Sequence, residues 1–554
     1  LKKLFIMPDS PDKFIEFGNE LLGMIHDFFQ EKGGIHSNIS LPELSGIFNR
    51  TSLPEEPQLI KDVVAGIKTE IVDHSVKVGS PYYIGHMTSA VPYFMILLEM
   101  IIAALNQNQV KIETAKASSF VERELVAWLH RLVFDKPEDF YGRFIQDPAV
   151  ALGNVTSDGT LANFTALLVA REKAFPAADG FRGVRADGIA SALKHYDYSR
   201  AVVIMSSRAH YSLKKAAGLL GIGEKNIVTV PVDASNRIDT VSLRRLMKRF
   251  SGTKGSERIK VVSVVGIAGN TETGNIDDLS AMSELCRETG VHFHVDACWG
   301  GPALLVDQYR KLFEGIELAD SVTIDAHKLL YCPMSMGVAL FRSEKDLSVI
   351  KHTSRYIIRK NSVDIGRFTV EGSRPFSALK PWAAIKIIGR EGYCLLFKQA
   401  RENTGTLKQL LDESENFETL NEPELFIVNY RFVPDDVLKN LERWASMLKE
   451  ADREEVQGVK KVMRRVNRLL NSLNIRLHKE MRADDTTFVS RTTLESTRYR
   501  PQEIVVLRAV LINPLTTAEI LAEIVQRHEG IGLELWKRFE APYLKIFNGL
   551  NRED

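Results

Sequence analysis

The sequence is poor in cysteine, in excess charge of one sign and in long apolar runs. Its 554 residues include four cysteines, none in a CxxC pair, so neither a disulfide framework nor a zinc knuckle is indicated. The 72 basic and 71 acidic side chains leave a net charge of +1 and therefore no large surface of one sign to attract a polyanion. We expect a small-molecule substrate and no nucleic acid or membrane partner.

The most apolar run, residues 94–105, contains Glu99 and is shorter than a bilayer requires, so we interpret it as a buried helix. The basic N-terminus reaches Pro8 and Asp9 after only four apolar residues, too few for the core of a signal peptide. No HExxH or similar ligand cluster occurs, which disfavours a metal hydrolase. A cytoplasmic protein without a metal site is expected.

The middle of the chain alternates β-branched runs with helical patterns. The predicted strands are AVVIMSS (201–207), NIVTVPV (226–232), KVVSVVG (260–266), VHFHVDA (291–297), DSVTIDA (320–326) and GVALFRS (337–343). Near-continuous Val/Ile strands separated by helices, such as the one predicted over 277–289, indicate a mainly parallel sheet covered on both faces. Ligands bind such sheets at the carboxyl ends of the strands.

The rest of the chain is predicted to flank this sheet. Residues 1–111 are predicted as a helical segment, and 112–395, which begin with an amphipathic helix over 113–134, as a large α/β domain. After it, an edge strand (425–432), a long helical pattern (435–473), a second strand (503–514) and a last helix from 516 predict a smaller α+β domain over 396–554.

Lys328 is the first candidate for chemistry. The segment TIDAHKLLYCPMSMG (323–337) ends a predicted strand at Asp325 and places His327 and Lys328 on the loop where a sheet ligand would lie. A lysine beside a cleft can be desolvated and can form a Schiff base with a carbonyl compound. Taken alone, Lys328 can also be read as a solvated loop lysine.

Asp296 supports the interpretation of Lys328 as a Schiff-base lysine. The strand VHFHVDACWGG (291–301) buries Asp296 at the end of an apolar run, where an ionised carboxylate needs a partner. The pyridinium nitrogen of pyridoxal 5'-phosphate (PLP) is such a partner, and its charge lets the ring act as an electron sink. Alone, Asp296 could be a helix N-cap or turn residue; the order strand–Asp, then strand–His–Lys, favours the cofactor.

Two further loops fit the same cofactor. In VTSDGTLAN (155–163), Thr156, Ser157 and Gly159 open a predicted helix, whose backbone N–H groups and positive dipole end would cradle a phosphate. Ordinary N-capping by Ser157 or Asp158 is the alternative. In SSRAHYSLKKAAG (206–218), His210 follows a strand and could stack its imidazole on a pyridine ring; a structural histidine is the alternative.

These segments resemble a known family. TSDGTLAN, SSRAHYSLKKAAG, AGNTETGNID (268–277), HVDACWGG and DAHKLL occur in the order and approximate spacing of the group II PLP-dependent decarboxylases, whose members include glutamate, aspartate, aromatic amino-acid and diaminobutyrate decarboxylases. The resemblance covers about 80–515. It implies a fold-type I PLP-dependent (aspartate aminotransferase-like) α/β architecture and a homodimer with shared active sites, to which 1–111 would contribute as a dimerisation segment.

The resemblance also implies roles for single residues. Lys328 resembles the Schiff-base lysine, Asp296 the partner of the ring nitrogen, and His210 the histidine that stacks on the ring. Ser157 and His327 resemble phosphate contacts. The set of cofactor-binding residues is Thr156, Ser157, Gly159, His210, Thr271, Asp296, Cys298, His327 and Lys328. Cys298 stands where an alanine is common, and its thiol is only slightly larger, so the ring should still fit.

Three residues bear on the reaction and the substrate. Tyr356, on a polar loop over 352–374, is similar to the tyrosine of the family's flexible loop that protonates the substrate carbon after CO2 has left. Arg508 matches an arginine that pairs with a substrate carboxylate, a task suited to a guanidinium; a solvent-facing strand arginine is the alternative. His86 lies in a loop, GSPYYIGHMTS (79–89), that departs from the family pattern, and it is expected to enter the partner subunit's site.

The sequence therefore predicts α-decarboxylation of an amino acid, with an acidic one, L-aspartate or L-glutamate, favoured by Arg508 and the neutral net charge. Diaminobutyrate is a further alternative. A PLP aminotransferase or lyase on the same fold is a rival, against which the long loop after Lys328 speaks. A scaffold that has lost the cofactor is the non-enzymatic rival, and the full set of PLP-contacting residue types speaks against it.

Overall fold

A computed structural model describes residues 4–8, 11–31, 33–252, 258–353, 362–450 and 453–548. A seven-stranded sheet lies at its centre. The strands are β1 (Gly153–Thr156), β2 (Arg200–Ser206), β3 (Ile227–Val230), β4 (Ile259–Ile267), β5 (His292–Asp296), β6 (Ser321–Asp325) and β7 (Gly337–Phe341), in the order β1-β7-β6-β5-β4-β2-β3. Strands β3, β2, β4, β5 and β6 are parallel, whereas β7 is antiparallel to β6 and to β1.

Helices precede this sheet and cover it. The first group is α1 (Phe14–Gln30), α2 (Leu41–Ile47), α3 (Ile60–Gly66), α4 (Tyr93–Leu105), α5 (Ile112–Ala115), α6 (Ala117–Phe134) and α7 (Glu138–Phe144). The second group is α8 (Gly159–Ala174), α9 (Val184–His195), α10 (Ser212–Leu219), α11 (Thr240–Ser251), α12 (Leu279–Thr289), α13 (Asp307–Arg310) and α14 (Leu379–Glu413). Local sequence sets several of their starts: Asp158 caps α8 by accepting the N–H of Leu161, and Asp278 caps α12 by accepting that of Ala281.

The predicted α/β fold with a mainly parallel sheet is confirmed. All six predicted strands are present, each within two residues of its predicted ends, because buried β-branched runs suit the interior of a doubly covered sheet. The prediction missed β1, whose four residues are too short to show a pattern. The carboxyl ends of β4, β5 and β6 lie side by side, with Asp296 opposite Ile267 on one neighbour and Thr323 on the other.

A smaller antiparallel sheet follows. Its strands are β8 (Phe417–Thr419), β9 (Ile427–Phe432), β10 (Ser490–Leu494) and β11 (Ile504–Val510), in the order β10-β11-β9-β8, and its helices are α15 (Asp435–Glu450), α16 (Arg453–Asp484) and α17 (Ala518–Asn548). The prediction of an edge strand over 425–432 is wrong, because β9 pairs with both β11 and β8. Strands β8 (FET) and β10 (SRTTL) were not predicted, because they are polar and show no alternation of apolar residues. The predicted domain boundary at 395 falls inside α14, and the division of the chain stays a prediction.

The interpretation of residues 94–105 as a buried helix is only partly right. The helix exists as α4, but within the described chain it buries only Met95 and Ile102, while Leu97, Met100, Ile101 and Leu105 are exposed. Hydropathy shows that a helix face is apolar. It does not show whether the residues that pack against this face belong to the same chain. In the described part of the chain, no helix is long and apolar enough to cross a membrane.

Candidate active site

Lys328 lies just beyond the carboxyl end of β6. Its Nζ is 2.9 Å from Oδ2 of Asp325, the last residue of the strand, and the other oxygen of Asp325 has no hydrogen-bond partner among the described residues. Burial on its own would lower the pKa of Lys328, but Asp325 and the groups beyond it, Asp296 among them, together outweigh burial and raise the pKa above its ordinary value. Lys328 is therefore held as an ammonium group beside a buried carboxylate.

Asp296 ends the neighbouring strand, β5, and is 6% exposed. Its Oδ2 accepts a hydrogen bond from Nδ2 of Asn163 at 2.9 Å, and its Oδ1 accepts the backbone N–H of Cys298 at 3.1 Å. Burial would raise the pKa of Asp296, but the charge of Lys328 and these hydrogen bonds outweigh it, so the pKa is lowered and the carboxylate stays ionised.

Asn163 connects Asp296 to the interior of the sheet. Its Oδ1 lies 3.0 Å from Nε2 of His294 and accepts the hydroxyl of Thr323 at 2.9 Å. Burial lowers the pKa of His294 to about 4, so the imidazole is neutral. Asn163 and His294 lie inside predicted motifs, but neither was predicted to have a role, because both stand on elements that come together only in the folded chain.

Lys328 and Asp296 line one cavity of about 200 Å³. The predicted residues that line it are Gly159, His210, Thr271, Asp296, Cys298, His327 and Lys328. Burial lowers the pKa of His210, against the attraction of Asp296, which favours the neutral, flat imidazole. Burial raises the pKa of Cys298 well above its ordinary range, so its thiol stays neutral. Thr160, Asn163, Trp299 and Asp325 also line the cavity and were not predicted.

Gly159 begins α8 and brings its backbone close to the other site residues. A Cβ atom added there would lie 2.6 Å from Oδ2 of Asp325 and 2.7 Å from Sγ of Cys298. The start of α8, with the positive end of the helix dipole, is thus held at the cavity wall, where an anionic group is favoured.

Two predicted phosphate contacts have side chains bonded elsewhere. The Thr156 hydroxyl donates to the carbonyl of Asp158 at 2.8 Å, and the Ser157 hydroxyl donates to Oε1 of Glu371 at 2.8 Å. Neither residue is among those that line the cavity, and their roles stay predictions. Tyr356 lies outside the described residues.

Arg508 stands on β11 and is 9% exposed. Its guanidinium donates to the carbonyls of Thr271 at 2.6 Å and Gly85 at 3.2 Å, while its Nε has no partner among the described residues. His86 lies in the electrostatic reach of both Arg508 and Lys328, whose charges add to burial in lowering its pKa. His86 of this chain therefore lies near the lysine of the same chain.

Comparison with known proteins decides the family. The model of the pyridoxal-dependent decarboxylase conserved domain matches residues 43–433. The chain belongs to the pyridoxal-dependent decarboxylases. It is 38% identical to an aspartate 1-decarboxylase of Aliivibrio fischeri over 95% of this chain and 93% of that protein, and 30% identical to an L-2,4-diaminobutyrate decarboxylase of Acinetobacter baumannii over 66% and 69% of the two chains.

Solved structures share the fold of this decarboxylase. The glutamate decarboxylase domain of a Vibrio parahaemolyticus diaminobutyrate-pyruvate transaminase and L-2,4-diaminobutyrate decarboxylase superposes with a TM-score of 0.75 at 20% identity, covering 96% of this chain and 98% of that one. The Oryza sativa TDC with PLP and tryptamine gives 0.77 at 17% identity, covering 96% and 100%. The predicted family, fold type, enzyme class and cofactor are confirmed.

The residues at the cavity fit PLP. An amine that can bind the aldehyde, a buried carboxylate for the ring nitrogen and a helix start for the phosphate line the same 200 Å³ space. One oxygen of the buried Asp325 carboxylate has no partner among the described residues, as expected where a polar group is to be held. In this decarboxylase, Lys328, Asp296 and the start of α8 would hold the cofactor.

Gly159→Ala tests the close approach at the start of α8. The added methyl group has no room beside Asp325 and Cys298, and such overpacking costs about 1–3 kcal/mol. We expect PLP to bind about tenfold more weakly, measured by equilibrium titration of its absorbance. Gly142→Ala, with nothing within 4 Å of the added atom, is the matched control and should leave PLP affinity unchanged. Unchanged affinity in Gly159→Ala would show that the cofactor does not depend on this approach.

Asp325→Asn tests the ion pair of Lys328. Without this carboxylate, less attraction opposes burial, so the pKa of Lys328 falls and more of the amine is neutral at a given pH. The pH profile for the rate at which cofactor-free enzyme captures PLP should move to lower pH, followed by absorbance. Asp187→Asn, which removes a carboxylate paired with Arg182 at the surface, should leave the profile in place. A profile that stays put or moves to higher pH in Asp325→Asn contradicts the assignment.

Proposed function

We propose that this decarboxylase removes the α-carboxylate of L-aspartate to give β-alanine. The observation that carries the proposal is the buried guanidinium of Arg508 beside the lysine site, in a chain 38% identical to an aspartate 1-decarboxylase over 95% of its length. An arginine binds a carboxylate through two parallel hydrogen bonds, which fix its orientation as well as its charge.

Two backbone carbonyls hold the guanidinium of Arg508 next to Thr271, a residue of the cofactor cavity. By bonding Thr271 and Gly85, the guanidinium ties the loop after β4, which lines the cofactor cavity, to the loop that carries His86. Burial lowers the pKa of Arg508, and Glu272 partly offsets this. A cation that has lost its water, and whose Nε has no partner among the described residues, gains strongly from a substrate carboxylate.

The catalytic roles follow from the charges of the cavity residues. PLP, when bound, accepts the electron pair that remains when CO2 leaves. Asp296, held ionised, supports the positive ring nitrogen. His210, neutral and in the cavity wall, would stack on the ring. The ammonium of Lys328 would return a proton to Cα of the product, a role that Tyr356 is predicted to share.

A substrate screen tests this function. Purified enzyme with PLP should release CO2 from L-aspartate with the highest kcat/KM, ahead of L-glutamate and L-2,4-diaminobutyrate, and should form β-alanine. Lys328→Ala should abolish turnover because no other amine of the described cavity can take its place. Lys398→Ala, at an exposed surface lysine, is the control and should keep full activity.

In the same screen, the variant Arg508→Gln tests whether Arg508 binds the substrate carboxylate. Removing the charge should lower kcat/KM for L-aspartate by roughly 30-fold or more, since truncating one partner of a buried charge pair costs about 2–5 kcal/mol. Near-normal turnover in Lys328→Ala, or a keto acid in place of CO2 as the main product, would overturn the proposed reaction. A diaminobutyrate preference would overturn the proposed substrate.

We also propose a homodimer with active sites near the subunit interface. Helices α1, α2 and α3 bury none of their residues, and α4 exposes an apolar face. A mostly apolar cavity of about 580 Å³ runs from Phe28 on α1 to Lys328 and Met334. Apolar surface of this extent marks a protein interface, and a second copy seated there would close one side of the lysine site.

Sedimentation equilibrium tests the dimer. The wild-type enzyme should have twice the chain mass of 62.3 kDa. Ile101→Glu on α4 should weaken the dimer by burying a charge in the interface. Val241→Glu, at an equally apolar and exposed position on α11, should leave the dimer intact. A monomeric wild-type enzyme would refute the proposal.

We propose a cytoplasmic location. All four cysteines are free, and three of them are buried, as expected for a protein of a reducing compartment. Fractionation of cells that produce the enzyme should recover it with the cytoplasm; recovery with another fraction would refute this proposal.

A further inference from the structure

Asn163 lies in the wall of the cofactor cavity and is 1% exposed. It stands on α8, one turn after Gly159, the residue at which that helix begins. Its Nδ2 donates to Oδ2 of Asp296 at 2.9 Å and to Oγ of Ser212 at 3.1 Å, and its Oδ1 accepts from the hydroxyl of Thr323 at 2.9 Å. Both N–H groups of this amide are therefore used within the site.

The orientation of this amide follows from the charge of Asp296. An ionised carboxylate can only accept hydrogen bonds, so the nitrogen of Asn163 must face it and the oxygen must face Thr323 and His294. Against burial, the charge of Lys328 and the hydrogen bond from Asn163 lower the pKa of Asp296. The amide thus supplies one of the interactions that keep the carboxylate ionised.

The second N–H of Asn163 leads to His210. Oγ of Ser212, which accepts this N–H, lies 2.9 Å from Nδ1 of His210, and the backbone N–H of Ser212 donates to the same nitrogen at 3.4 Å. A backbone N–H can only donate, so Nδ1 is an acceptor and the neutral imidazole carries its hydrogen on Nε2. Ser212 is fully buried at the start of α10, so its hydroxyl depends on these two partners.

Asp296 and His210 would contact different parts of the same flat ring. Asp296 would bind the ring nitrogen and His210 would stack on the ring face, so the two side chains must keep one relative position. They follow different strands, β5 and β2, and no hydrogen bond joins the two side chains directly in the described part of the chain. Asn163 connects them, directly to Asp296 and through Ser212 to His210.

We propose that Asn163 is a positioning residue, whose amide orients the carboxylate of Asp296 toward the ring nitrogen and, through Ser212, the imidazole of His210 toward the ring face. The proposal rests on the assignment of Asp296 and His210 as cofactor contacts. Loss of the amide removes a donor to a buried anion and so raises the proton affinity of Asp296. The proton between the carboxylate and the ring nitrogen then moves toward the carboxylate. The hydroxyl of Ser212 also loses one of its two partners.

The protonation of the ring nitrogen tests the first half of the proposal. Asn163→Ala and Asn163→Leu both remove the amide but differ in size, so an effect that they share comes from the lost N–H groups. Each variant is loaded with PLP that carries ¹⁵N in the ring. The NMR chemical shift should move from the protonated toward the unprotonated value at the same pH. PLP should also bind about tenfold more weakly, the loss expected for a hydrogen bond to a charged group.

Asn474→Leu is the matched control. Asn474 is also fully buried, and its amide donates to the carbonyls of Phe432 and Leu470 in the C-terminal part of the chain. This variant should keep the wild-type chemical shift and PLP affinity. A wild-type chemical shift in both Asn163 variants overturns the proposal. An unprotonated nitrogen in the wild-type enzyme would instead overturn the assignment of Asp296, and the proposal with it.

Ser212→Ala tests the second half and keeps the test open if the Asn163 variants fail to fold. The bond from Asn163 to Asp296 remains, so the ¹⁵N chemical shift should stay at its wild-type value, whereas His210 loses the hydroxyl that orients it. The visible circular dichroism of bound PLP, which depends on the asymmetry of the groups packed against its ring, should lose intensity. Ser283→Ala, at a buried serine whose hydroxyl bonds within α12, should keep the wild-type dichroism. Unchanged dichroism in Ser212→Ala refutes the role of Asn163 toward His210.

Discussion

The cofactor site depends on an ionised carboxylate that is buried at the end of a parallel strand. Moving a carboxylate out of water costs several kcal/mol even after relaxation of the protein. Asp296 meets that cost with the charge of Lys328, the amide of Asn163 and the N–H of Cys298. These groups belong to different elements, so the ionised carboxylate is stabilised only when β5, β6 and α8 are packed in their native positions. The condition that stabilises the ion also assembles the cofactor site.

Residues that are marked by a local sequence pattern were predictable from the sequence. Asp296 and Lys328 end β-branched runs, so strand periodicity and the order of motifs placed both at one sheet edge. Other features depend on distant partners that no local pattern shows. Ser157 resembles a phosphate contact, yet its hydroxyl bonds Glu371, 214 residues later in the chain. Asn163 acquires its importance from His294, on a strand far along the sequence.

The hydropathy of α4 predicts more burial than the helix has within the described chain. The composition of that helix is that of a protein core, but most of its apolar face has no cover within the described chain. Helices α1 to α3 bury none of their residues, and the apolar cavity that α1 and α4 border reaches Lys328. One side of the site is thus polar and closed by this chain, while the other is apolar and open. The proposed dimer accounts for both sides with one partner.

The protonation of the PLP ring nitrogen tests the central claim most directly. If Asp296 remains ionised against the ring, then ¹⁵N-labelled PLP bound to the enzyme will show the NMR chemical shift of a protonated pyridine nitrogen from neutral into mildly alkaline pH. A shift typical of an unprotonated nitrogen over that range would mean that the carboxylate of Asp296 does not hold the ring charge, and the account of this site would be wrong.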